Sequence, residues 1–406
     1  MRIAQIAPLQ VAVPPRQYGG TERLIHNLTE TLVQLGHDVT LFASGDSQTS
    51  ANLIAPVPAA FNFNPAVDVR AYQMAMLAEV YRQVDRFDII HSHLDYYALP
   101  FAEHSATPTV TTLHGRLDLP EYERVYYAYR GMPYISISKS QQSQLPEMNW
   151  VGTVHHSVDV SKFKFYPEVG DYLAFVGRIS PEKRPDRAIE IAKMTGIPLK
   201  IAAKVDPADR PYFEEVIKPL MQHPLIEFLG EVDEMGKREV MGNALALLMP
   251  IDWPEPFGIV FIEALACGTP VLTCPCGSVP ELLQDGVTGY IRRSVEELAE
   301  AALKVHDISR AACRRFAATR YDNRRLARDY LRLYDKIIRM HRLHPQDAEA
   351  AIDEGADTEA TIIEQLPALA VSDVGYTAPL TRRGPGPGIP LPDDYAINDD
   401  ESVLLA

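Results

Sequence analysis

The 406-residue chain reads as an α/β protein made of two doubly wound parallel sheets in series, with an unstructured tail behind them. Three observations predict this. Short β-branched runs alternate with amphipathic helical stretches instead of hairpin turns, which is the pattern of a buried parallel sheet. The alternation lapses in a polar stretch near 165–171 and then restarts. Periodicity ends after residue 344, where Pro, Gly and acidic residues scatter without a repeat.

In the first half, RIAQIAPL is the opening strand, and Thr21 to Leu35 is a helix with Leu24, Ile25, Leu28, Leu32 and Leu35 on one side and Thr21 as its N-cap. HDVTLFAS is a second strand. A helix is expected from Ala71 to Arg86, then strands at Phe87–His93, Thr107–Gly115 and Tyr134–Ser138. In the second half YLAFVGRI, PLKIAAKV, LIEFLGEV, ALALLMPI and TPVLTC read as strands. They alternate with helices at Pro185–Met194, Pro211–Met221, Glu234–Ala244 and Ile259–Ala266, the last stopped by Gly268. Ser278 with Glu281 three residues on has the form of a capping box, before a turn at Asp285-Gly286.

From Asn323 to Arg342, Leu326, Tyr330, Leu333, Tyr334, Ile337 and His341 share a helical face opposite Arg325, Arg328, Arg332, Lys336 and Arg339. This is expected to be a docked closing helix, with contact to a membrane surface as the other use of such a pattern. The expected organisation is a first lobe over 1–168, a second over 169–322, the closing helix over 323–344 and a disordered acidic tail over 345–406.

Composition narrows the function. With 46% hydrophobic and 23% charged residues the chain is an ordinary globular one. Its net charge is −15, but residues 345–406 hold 13 acidic and 2 basic side chains, a net of −11, which leaves −4 for the rest. Neither part suits nucleic acid. The N-terminal MRIAQIAPL lacks the layout of a secretory signal, and no run approaches the ~18 apolar residues of a membrane span. Cys267, Cys274, Cys276 and Cys313 are too few and too clustered for a disulfide framework, and their spacing fits no common zinc pattern. They predict buried thiols, a reducing compartment, and a cytoplasmic protein without a metal.

The chemistry gathers in three motifs. In EPFGIVFIE, Glu255 and Phe257-Gly258 form a loop ahead of a helix starting at Ile259, and Glu263 lies inside the apolar run, where an unpaired charge is costly. The helix start offers free N–H groups and a positive dipole to a phosphate, with a carboxylate on either side for sugar hydroxyls. In GRISPEK, Gly177, Arg178 and Lys183 follow a strand and precede a helix, so two cations emerge at a carboxyl end, placed to stabilise a departing diphosphate. In YGGTER, Gly19 and Gly20 allow a backbone to approach a phosphate closely. The GxGxxG dinucleotide fingerprint is missing, which argues against a nicotinamide enzyme. Strand-end histidines complete the set: His114 is the better candidate for sugar contact, and His93 for the acceptor side. His91 accompanies them.

Together GRISPEK, EPFGIVFIEALACGTPV and DGVTGY resemble the family 4 retaining glycosyltransferases of GT-B architecture, two Rossmann-like domains facing a cleft, over about residues 1–344. YGGTERL and GHDVTLFASGDS look like one bacterial branch. The resemblance implies a nucleotide sugar, usually UDP-linked, held by the second domain, an acceptor held by the first, and no cofactor or metal. It implies that Glu263 binds ribose hydroxyls, that Glu255 lies near the donor sugar, and that Arg178 and Lys183 serve the diphosphate. His114 would sit near the transferred sugar and Gly20 on the phosphate side. Lys204 stands where many relatives carry a glycine-rich strand end, and so bears on nucleotide choice. Glucose is the default sugar; the acceptor is a small molecule, glycan or lipid-linked carrier. The rival readings are a GT-B phosphorylase, a sugar-nucleotide epimerase, and a non-catalytic nucleotide-sugar sensor or scaffold.

Overall fold

The structure, a computed structural model, describes residues 1–16 and 19–342, so the expected acidic tail lies outside the described residues. Two all-parallel sheets form. The first has seven strands, β1 Arg2–Ile6, β2 Asp38–Phe42, β3 Asn52–Ile54, β4 Ile89–Ser92, β5 Thr109–Thr112, β6 Tyr134–Ser136 and β7 Trp150–Thr153, in the order β3-β2-β1-β4-β5-β6-β7. The second has six, β8 Leu173–Arg178, β9 Leu199–Lys204, β10 Ile226–Gly230, β11 Ala246–Met249, β12 Val271–Thr273 and β13 Gly289–Ile291, in the order β10-β9-β8-β11-β12-β13. In each sheet the chain starts in the middle, builds to one edge and crosses back, so order reverses beside β1 and beside β8. Crevices at the carboxyl ends of strands at such reversals are where ligands bind in open α/β sheets.

The second sheet is buried on both faces, its core running from Leu173 and Phe175 through Leu247, Leu248 and Leu272 to helix Ile259–Cys267. The first sheet has one core around Ala4, Phe42, Met76 and Ile90 and another around Ile3, Leu24, Val110 and Val151. The latter is sealed by the last helix, Asn323–Arg342, which crosses from the second lobe to bury Leu326, Tyr330, Tyr334 and Ile337 there. That apolar stripe is covered by protein, so it is not a membrane-facing surface. Leu333 is half-buried against Gly152, where an added Cβ would stand 2.8 Å from its methyl. His341 lies outside the stripe, exposed, with Nε2 3.1 Å from the carbonyl of Ala106.

Several expected boundaries move. The first helix spans Gly20–Gln34 with Gly19, not Thr21, at its N-cap position and no side-chain cap, and Leu35 has turned outward to 45% exposure. The expected Ala71–Arg86 helix is Val69–Tyr81, capped by Asp68, followed by a separate 3-10 turn Val84–Arg86. The Pro211–Met221 stretch runs as Arg210–Tyr212, a π segment Phe213–Ile217, and Lys218–Leu220. Pro219 has no N–H to continue an α ladder.

Candidate active site

A cavity of about 260 Å³ opens at the carboxyl ends of β8, β9 and β10 and is closed from the first lobe by Gly19, Gly20 and Arg23. Gly177, Lys204, Ile259 and Glu263 line it, so six of the residues expected to bind a donor share one pocket. Gly20 packs so closely across the lobes that an added Cβ would meet the Ile259 methyl at 3.1 Å. The floor is the start of helix Ile259–Cys267. Its N-cap, Gly258, has φ +81, a left-handed conformation that aims the first turn at the cavity and costs a non-glycine residue about 1–2 kcal/mol.

Glu263 is 4% exposed and its carboxylate accepts from the Lys237 ammonium at 2.9 Å. Lys237 also reaches Glu234 at 3.0 Å, and Glu234 pairs with Arg23 of the first lobe at 3.0 Å. Burial by itself would depress the Lys237 ammonium, but Glu263 and Glu234 hold it above the ordinary lysine range. The cavity wall is thus a charge-balanced chain that spans both lobes.

Glu255 takes a different environment. Its carboxylate accepts from Lys183 and from the Trp253 indole N–H at 3.1 Å. Trp253 is flanked by two cations, Lys183 at 4.6 Å and Arg116 of the first lobe at 5.7 Å from the ring centre. The backbone here is pinned at three successive carbonyls. Ser278 N–H donates to Glu255 O at 3.0 Å, Ser138 Oγ of the first lobe to Pro256 O at 2.7 Å, and Ser278 Oγ to Phe257 O at 2.7 Å. Gly277 makes this possible, since a Cβ there would stand 2.2 Å from the Glu255 nitrogen. The Phe257 side chain does not line the donor cavity as expected. It is 2% exposed and packs on His156 at 4.7 Å between ring centres, because its chain turns away from the pocket before Gly258.

Arg178 stands at the end of β8 beside Lys204 of β9, among carboxylates: Asp206 at 3.3 Å, Glu182 at 3.2 Å and Asp209 at 3.9 Å. Lys204 pairs with Asp206 at 2.8 Å and lies 5.9 Å from the ring of Phe63, a first-lobe residue.

The histidines form a chain that is buried except at the half-buried His114. His156 Nε2 is 3.2 Å from His114 Nδ1, His114 Nε2 is 2.8 Å from His93 Nδ1, and His93 Nε2 is 2.9 Å from the Gln5 side-chain oxygen. His93, expected on the acceptor side, is 2% exposed and lies behind His114, because it falls two residues after the interior His91 and stays on the same face, the two rings 4.0 Å apart. His91 is likewise interior, bonded to Tyr334 at 2.7 Å and Thr112 at 2.7 Å. Burial lowers His114 to about 3 and drives His91, His93 and His156 well below the ordinary imidazole value, so all four are neutral at pH 7.

Comparison with known proteins bears directly on this geometry. Residues 18–166 match the model of Glycosyltransferase Family 4, and residues 161–320 that of Glycosyl transferases group 1. The phosphatidyl-myo-inositol mannosyltransferase of Mycobacterium leprae is 26% identical over 83% of this chain and 97% of its own. A Mycobacterium tuberculosis glycogen synthase is 26% identical over 78% of this chain and 89% of its own. Among solved structures, Anabaena Alr3699/HepE in complex with UDP superposes with a TM-score of 0.66 at 16% identity, over 83% of this chain and all of that one. The chain belongs to glycosyltransferase family 4. Its two facing sheets are the GT-B architecture.

In this family 4 glycosyltransferase, sequence reasoning missed Arg23, Lys237 and Trp253, and gave Glu281 a capping role it does not have. Trp253 carried a signal, standing two residues before Glu255. Arg23 follows directly on the glycine pair. Glu281 does not complete a capping box with Ser278. Its oxygens accept from the Lys139 and Ser140 N–H groups of the first lobe at 2.8 Å each, and His155 Nε2 is 3.2 Å away. Burial alone would raise the Glu281 carboxyl, but these donors hold it below its ordinary range. The four thiols are free, and burial pushes Cys267 and Cys313 up to about 12 and Cys274 to about 11. No cluster of metal-ligating side chains occurs among the described residues, and no described helix is long and apolar enough to cross a membrane.

Proposed function

We propose that this glycosyltransferase moves a hexose, by default glucose, from a UDP-linked donor to an acceptor seated against the first lobe, with retention of configuration and without a metal. The observation that carries this reading is the shared cavity. It joins the glycine pair of the first lobe, the ends of β8 and β9, the start of helix Ile259–Cys267 and the buried Glu263. A nucleotide placed there would present ribose hydroxyls to Glu263 and its diphosphate to the helix start. Arg23, Lys204 and Lys237 are the cations that line the cavity, and Arg178 at the end of β8 and Lys183 beyond it supply further positive charge beside it. UDP in the HepE structure supports the base, by fold likeness alone. The four free thiols, three of them buried and Cys276 half-buried, favour a reducing, cytoplasmic setting.

In the proposed reaction the bond from the sugar's anomeric carbon to the phosphate oxygen breaks, and positive charge develops on the sugar ring. The acceptor hydroxyl attacks from the same face as the leaving group and passes its proton to a departing phosphate oxygen. The protein's contribution is positioning and fixed positive charge, worth the most where water is excluded. Glu255, held by Lys183 and Trp253, flanks the sugar; His114 approaches it from the first lobe.

The test is a nucleotide-release screen over UDP-, GDP- and ADP-sugars without acceptor, followed by NMR of the transferred anomeric centre. Slow release from a UDP-hexose and an anomer unchanged from the donor are expected. Strict dependence on phosphate, an isomerised donor, or binding without consumption would each replace the reading with one of its rivals.

A further inference from the structure

We infer that His93 is a positioning residue that fixes the tautomer of His114, keeping its proton on Nε2 and its lone pair on Nδ1. The direction of the buried chain is set at its far end. The Gln5 amide nitrogen donates to the Tyr334 hydroxyl at 3.1 Å, which leaves the Gln5 oxygen as an acceptor. His93 Nε2, 2.9 Å away, must then carry a proton. A neutral His93 has no second proton, so its Nδ1 accepts, and the proton in the 2.8 Å link belongs to His114 Nε2. The same step leaves His114 Nδ1 as an acceptor, filled by His156 Nε2–H at 3.2 Å. A neutral His156 then has a bare Nδ1, and that atom is buried with no hydrogen-bond partner among the described residues. The chain is self-consistent in one direction, from His156 to Gln5.

The two links to His114 are unequal. The link to His93 is 2.8 Å and that to His156 is 3.2 Å, and of the three imidazoles only the shared His114 is half-buried. Resting on the proposed function, the longer link is the one a donor-sugar hydroxyl replaces, by donating to His114 Nδ1. The terminal helix thereby takes part in the site at a distance, through Tyr334, Gln5 and His93. Tautomer-setting partners of this kind typically change activity about 10- to 100-fold when removed.

The test uses the full chain. His93→Leu should lower kcat for donor turnover about 10- to 100-fold while leaving donor KM little changed. His93→Asn, whose side-chain oxygen falls near the position of the lost Nδ1, should restore most of that rate. In wild-type protein with 15N-labelled histidine, the His114 resonances should show a protonated Nε2 and a bare Nδ1 at neutral pH. A protonated His114 Nδ1, or a His93→Leu enzyme as fast as wild type, would overturn the inference. If His93→Leu does not fold, the nitrogen spectrum and His93→Asn still decide it. If no nucleotide sugar is turned over by wild type, the proposed function fails while the spectrum separately tests the tautomer.

Discussion

At the scale of the residue, Lys183 and Glu255 act as a pair, because Glu255 is 8% exposed and its charge would be uncompensated without a cation. Lys183→Ala is expected to lower transfer by about 100-fold, the size of effect seen when a preorganised charge partner is lost. It should also lower the melting temperature, since the carboxylate stays buried. Glu255→Gln should lower transfer and keep the fold, because the amide oxygen can still accept from the Trp253 indole. Turnover and thermal unfolding of both variants check this, and near-normal turnover in Lys183→Ala would remove the role assigned to it. In the proposed role of Glu263 as the ribose partner, Glu263→Gln is expected to weaken ground and transition states alike, so donor KM should rise more than kcat falls. Steady-state kinetics would contradict this by showing the reverse split.

At the scale of the element, the loop from Glu255 to Gly258 is fixed by its backbone. Gly258→Ala would put a Cβ 2.5 Å from the Phe261 ring and require a left-handed alanine, at about 1–2 kcal/mol before any repacking. The expected outcome is a lower unfolding midpoint and weak donor binding, measured by denaturant titration and calorimetry; an unaffected variant would show that the helix start has no such constraint. The long elements were legible in the sequence because their apolar residues repeat over enough turns: helices Gly20–Gln34, Pro185–Thr195 and Asn323–Arg342 fall near their expected spans. Strands β3, β7 and β13 were not, since three or four residues carry no readable period. Helix Val295–Lys304 was overlooked although Ser294 and Glu297 form a full capping box at its start. The fixed part of the site, from Gly177 to Glu263, was visible as motifs. Arg23 and Lys237 were not, because the partner that ties each to the cavity wall, Glu234 for Arg23 and Glu263 for Lys237, lies on another element.

At the scale of the molecule, four buried neutral imidazoles link stability to pH. Their folded pKa values lie below the unfolded value of about 6.5, so the unfolded chain binds more protons under acid and stability falls as pH drops below that point. The contribution is fully present above about 6.5. Well below it the slope approaches four protons, on the order of 5 kcal/mol per pH unit. Melting temperatures recorded from pH 8 to 5 should be level at first and then drop sharply; a flat profile down to pH 5 would mean the chain is hydrated or already charged.

The sequence by itself determined the two parallel sheets, the glycines and cations at their carboxyl ends, and the family, because periodicity and motif spacing are local properties of the chain. Which groups meet across the lobes was decided only by tertiary structure. The Ser-x-x-Glu pattern occurs at Ser294 and at Ser278: the first caps its own helix, whereas Glu281 of the second satisfies two first-lobe N–H groups. The reason is physical. A carboxylate goes to the strongest unsatisfied donors within reach, and for Glu281 those donors lie about 140 residues away along the chain.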